Sequence, residues 1–143
     1  MKKSLIGFVN KLPKGMFTFI TLFLIIYISL DSNPFDVNKI HLFPGADKII
    51  HALMYGFLVM VSVFDISKIK SYSKPCFGLY MCSVLFSIIV GVLMEFLQES
   101  MNLGRGFDLY DIYADAVGAI IGFLVMRFFI LDFIIKFMSI EED

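Results

Sequence analysis

The sequence predicts an all-α fold, an integral membrane bundle of four transmembrane helices with both termini in the cytoplasm. Three observations predict it. Of the 143 residues, 59% are hydrophobic and only 17% charged, a balance that a soluble domain of this size could not bury. Most charges fall outside four apolar runs, near Met16 to Leu30, Ile49 to Phe64, Cys76 to Leu97 and Ile112 to Leu131, each close to the ~20 residues that cross a hydrocarbon core. Finally, the basic residues divide unevenly between the two sides that such helices would create. Four spans consume most of the chain, so we expect a single domain over 1–143 with helices at about 14–31, 47–65, 75–98 and 109–133 and no soluble catalytic module.

The first apolar run follows Lys2 and Lys3, as an export signal would, but Ile28, Ser29 and Leu30 offer no small-x-small cleavage pattern. It is therefore read as the first span. Before it, Leu5, Ile6, Phe8, Val9 and Leu12 alternate with Lys2, Lys3, Lys11 and Lys14 as in a short amphipathic segment on the inner surface. Lys2, Lys3, Lys11, Lys14, Lys68, Lys70, Lys74, Arg127 and Lys136 fall on one side, and Lys39, Lys48 and Arg105 on the other. This asymmetry puts the first group in the cytoplasm. Cys76 and Cys82, six apart on one helix, diverge by ~240° and cannot pair; they are read as packing residues.

The second span begins after Pro44 and Gly45, and Asp47, His51 and Tyr55 recur every four residues along one face, with Lys48 beside them. The third starts at Pro75 and climbs about 30 Å to Glu95, with Gln98 on the same face. The fourth descends from a loop holding Arg105 and Asp108, and Asp111, Asp115, Gly118 and Gly122 form one stripe. Its lower half is a GxxxG pattern that admits a neighbouring helix. Three helices thus bring Asp47, Lys48, His51, Tyr55, Glu95, Gln98, Arg105, Asp108, Asp111 and Asp115 to one outward-facing level. Ionisable groups inside a membrane cost ~3 kcal/mol or more, so interior ones mark sites or pathways. Each also has a plainer reading: Asp47 with Lys48 and Arg105 with Asp108 as headgroup-solvated pairs, Gln98 as a bridge between helices, Tyr55 as a core aromatic. Glu99 points away and is read as solvated.

Within the cluster, Asp47, Glu95, Asp108, Asp111 and Asp115 outnumber Lys48 and Arg105. Protonated carboxyls, a divalent cation or a cationic ligand group would each compensate, and the sequence does not choose among them. His51, Glu95, Asp111 and Asp115 are acceptable metal donors, but their dispersed spacing matches no metal motif, so no metal or other cofactor is assigned. No nucleotide loop or nucleophile elbow is present, nothing points to nucleic acid, and no inverted repeat or midplane charge suggests a transporter. His41, in the loop before the second span, is too irregularly placed to suggest axial haem ligation together with His51.

The ordered set Asp47, Lys48, His51, Tyr55, then Glu95 and Gln98, then Arg105, Asp108, Asp111 and the Gly118 to Gly122 tail resembles the VanZ-like family. Asp115 departs from it, standing where many members carry Asn. The resemblance implies a small multi-pass protein of the bacterial cytoplasmic (inner or plasma) membrane, from a family whose named member is associated with low-level teicoplanin resistance. It supplies no reaction. On this basis we expect a site that binds or acts on membrane lipids or a lipid-linked cell-envelope molecule. Glu95 or His51 would act as base, Asp111 would orient His51 or a cation, and Lys48 and Arg105 would hold an anion, with Gln98, Asp47, Tyr55, Asp108 and Asp115 as binding residues. The alternative is a non-catalytic structural or assembly partner. Oligomeric state is not legible.

Overall fold

The structure, a computed structural model, describes residues 2–30, 45–101 and 107–138. Among them α1 spans Lys2–Lys11, α2 Met16–Leu30, α3 Ala46–Ile69, α4 Phe77–Ser100, α5 Leu109–Val125 and α6 Leu131–Met138, the last two joined without a break by a π-helical turn, Met126–Ile130. Ala46–Ile69, Phe77–Ser100 and the continuous rod Leu109–Met138 are long and apolar enough to cross a membrane; Met16–Leu30 is apolar but shorter. The helical membrane bundle expected from hydropathy is present.

Helix ends differ from expectation for identifiable reasons. Gly45 takes the left-handed conformation (φ 86°) that glycine adopts without strain, and α3 starts at Ala46. We expected α3 to stop near Asp65, but it continues to Ile69 because the N-terminal segment absorbs its polar residues. Asp65 Oδ2 accepts from the Thr18 backbone N–H at 2.8 Å and from its hydroxyl at 2.7 Å. Lys68 Nζ donates to the Val9 and Leu12 carbonyls at 2.7 and 2.8 Å, satisfying the free C-terminal end of α1. The amphipathic segment is therefore a helix docked on the bundle, with Ile6 buried.

α4 begins two residues after Pro75, since Cys76 is still extended (φ −68°, ψ 159°). Both cysteines are exposed, which corrects their reading as packing residues: they lie on the outer surface of the bundle. The last span runs to Met138 rather than 133. Buried Leu131 and Met138, with Ile134 and Ile135 against the core around Tyr80, give its final turns a packing face, and Lys74 reaches Asp132 at 2.6 Å.

α3 and α5 form the tightest pair. They run in the same direction with a constant register: a Cβ on Gly118 or Gly122 would overlap the backbone of Ala52 or Gly56, and one on Gly56 would come 2.7 Å from the Gly118 carbonyl oxygen. Without side chains between them, the two backbones touch, which is how membrane helices associate when lipid removes the hydrophobic drive. α4 packs across this pair, and Ser87 Oγ donates to the Tyr55 carbonyl at 3.0 Å. Phe19, Phe23, Phe57, Phe86, Leu93, Phe128 and Phe129 are among the large apolar side chains left on the outer surface, as a lipid solvent requires.

Candidate functional site

The α3–α5 register sets which polar residues meet. Lys48, in the first turn of α3, faces the first turn of α5: its Nζ lies 2.6 Å from Asp108 Oδ2, 2.7 Å from Asp111 Oδ1 and 2.9 Å from Asp47 Oδ2. The Asp111 contact is close in distance but lacks hydrogen-bond alignment. One turn deeper, His51 Nδ1 lies 3.0 Å from Asp115 Oδ1. Asp111 was expected to orient His51 or a cation; it is Asp115 that lies against the His51 ring, while Asp111 faces Lys48. Lys48 occupies Asp111, and Asp115 is the residue at the depth of His51.

Glu95 enters from α4. Its Oε2 accepts the Asp108 backbone N–H at 3.0 Å, while Asp108 caps α5 by accepting the Tyr110 N–H at 2.8 Å. Lys48 beside Asp108 holds its carboxyl below the ordinary value of 3.8, helped by the Tyr110 N–H. The site is graded in depth. The Asp47 side chain is 59% exposed at the rim, whereas Glu95 and Asp115 are 1% exposed. Among the described residues, Glu95 Oε1 and Asp115 Oδ2 are buried with no hydrogen-bond partner. An orphaned buried carboxylate oxygen is costly unless something meets it.

Not every expected residue joins this network. Gln98 is turned to α2, donating to the Ser29 carbonyl at 2.7 Å, and so bridges two helices. Tyr55 is fully buried below His51, their rings stacked with centroids 6.2 Å apart. Glu99 is exposed, while Arg105 lies outside the described residues, as do Lys39 and His41. Two residues that position the site escape a reading of charges: Gly56, which sets the α3–α5 contact, and Gly91, where a Cβ would strike the Asp115 carboxylate. Their only signal is spacing. Ala52 and Gly56 repeat the small-xxx-small pattern, and Gly91 sits one turn from Glu95.

No match was found among curated proteins or among solved structures. A family model described as VanZ/LLP1 matches residues 5–131, which includes every polar residue of the cluster. With that match over most of its length and membrane-spanning helices beneath it, the chain belongs to the VanZ-like family.

Proposed function

We propose that the cluster at the mouth of α3, α4 and α5 binds or acts on the polar part of a lipid or lipid-linked cell-envelope molecule at the outer face of a bacterial cytoplasmic membrane. The observation that carries this reading is the gradient from exposed Asp47 through half-buried Lys48 and Asp108 to buried Glu95, His51 and Asp115, on a bundle whose outer wall is apolar. A headgroup can reach the rim while its chains stay in lipid. Lysines gather at the opposite end, around Lys68, Lys70 and Lys74, and by the positive-inside rule that end is cytoplasmic. Lys48 and Arg105 would hold an anionic phosphate or carboxylate, and Glu95 or the Asp115-oriented His51 would move a proton. Altered teicoplanin susceptibility would be one readout of a changed envelope.

The test is a mass-spectrometric comparison of envelope lipids and cell-wall precursors from cells with the wild-type protein, with Glu95→Gln, and with none. A species altered alike in the last two is expected. A null that changes the profile while Glu95→Gln leaves it as in the wild type would refute a role for Glu95. The alternative of a membrane assembly partner draws on Gln98 and Ser87, whose bonds link helices. It predicts that loss of His51 lowers thermal stability before it affects any phenotype.

A further inference from the structure

His51, Glu95 and Asp111 come from three different helices, yet one donor atom from each lies within 4.8 Å of the other two. Like-charged groups do not converge in a buried site without compensation, and among the described residues the cation beside them, Lys48, is already shared among Asp47, Asp108 and Asp111. Glu95 shows independently that something is owed a position here. It is 1% exposed, its Oε2 is satisfied by the Asp108 N–H, and its Oε1 has no partner among the described residues. His51 is arranged to match. With Nδ1 donating to the Asp115 carboxylate, the neutral imidazole would keep the Nε2 lone pair for a ligand. A carboxylate behind the imidazole is the recurrent arrangement that orients a metal-bound histidine and raises its basicity.

We infer that His51, Glu95 and Asp111 form a site for one divalent transition-metal cation, with Asp115 as the carboxylate that orients His51. One imidazole and two carboxylates suit Zn²⁺ or Mn²⁺ better than Ca²⁺ or Mg²⁺, which favour oxygen alone. Donors on a tetrahedral ion with bonds of ~2.1 Å stand roughly 3.4 Å apart, so the triad closes by little more than about an ångström, within reach of side-chain rotation. Three protein donors would leave a four-coordinate ion one further position, open to a water or an anionic oxygen. Lys48 is a competitor: its pairing with Asp111 weakens that ligand, and its removal should tighten binding.

The inference stands on this geometry and goes beyond the lipid reading, and the two fail separately. Full-length, tag-free protein in detergent is loaded with Zn²⁺ or Mn²⁺, passed through a desalting column and assayed for metal per chain by mass spectrometry, with affinities from calorimetry. About one ion per chain is expected, with affinity falling at least ~10-fold in Glu95→Gln and Asp111→Asn, ~10-fold or more in Asp115→Asn, unchanged in Asp47→Asn and raised in Lys48→Met. Retention of no ion by folded wild-type protein, or equal affinity in Glu95→Gln and Asp111→Asn, would overturn the site. Should those variants fail to fold, pulsed EPR of Mn²⁺ on the wild-type chain decides: imidazole nitrogen coupling supports the site, and its absence overturns it. A lipid change in Glu95→Gln cells without metal binding would leave the lipid reading standing alone, and metal binding without a lipid change would do the reverse.

Discussion

Asp108 serves three partners at once: it caps α5, receives Lys48, and lends its own backbone N–H to Glu95. Its depressed carboxyl fixes a sign for pH dependence. A carboxylate that is more acidic when folded contributes stability above its ordinary value of 3.8, and that contribution is lost as pH falls through the lower folded value. Between about pH 5 and about pH 3 the wild-type melting temperature in detergent should therefore fall further than that of Asp108→Asn. The same residue shows what a sequence can convey. Spacing put Asp47, His51, Glu95 and Asp111 toward the same end of the bundle because position along a helix is simply a residue count. It did not pair Asp115 with His51 or turn Gln98 to Ser29, because partners depend on the register between helices, and no charge records that register.

At the scale of elements, that register comes from glycine. Gly118→Ala places a methyl on the Ala52 backbone, which has no side chain to move aside, and should cost ~1–3 kcal/mol of stability. Gly78→Ala, with nothing within 4 Å, is its control and should be neutral or slightly stabilising; thermal or denaturant unfolding in detergent checks both. Hydropathy located the spans but not their lower ends, because Asp65 and Lys68 look like helix-ending polar residues until α1 and α2 supply their partners. Lys68→Met leaves the Val9 and Leu12 carbonyls without their ammonium donor. Faster amide hydrogen exchange across residues 3–12, with α3 to α5 little changed, is the expected result. The π-helical turn has no sequence signal of this kind. It carries Arg127 over the Tyr80 ring at 5.3 Å, where an aromatic face replaces an ion-pair partner near the basic end.

For the whole molecule, the two ends differ in charge, and the positive-inside rule would send them to opposite sides of a membrane. Lys48 at one end is held among carboxylates, whereas at the other Lys68, Lys70 and Lys74 surround the turn through Ser71 and Tyr72, both in the left-handed region. In a variant with Cys76 and Cys82 replaced by Ser, a membrane-impermeant maleimide should label Asp47→Cys in intact cells and Ser71→Cys only after permeabilisation. Labelling in the opposite order would invert the orientation and place the cluster inside the cell. The family resemblance was legible because it rests on an ordered series of residues along the chain, and the match over residues 5–131 confirms it.

The bare backbone seam between α3 and α5 also determines how anything can arrive at the cluster. Where Gly118 and Gly122 lie directly on Ala52 and Gly56, there is no side chain whose rotation could open a passage, so that side of the cluster is closed. On the proposed lipid reading, a headgroup would enter at the rim beside Asp47 and Lys48 or past α4 rather than through this seam. The seam thus fixes the spacing of the two backbones that carry Lys48 and His51 on one side and Asp111 and Asp115 on the other, while the side chains above it remain free to turn.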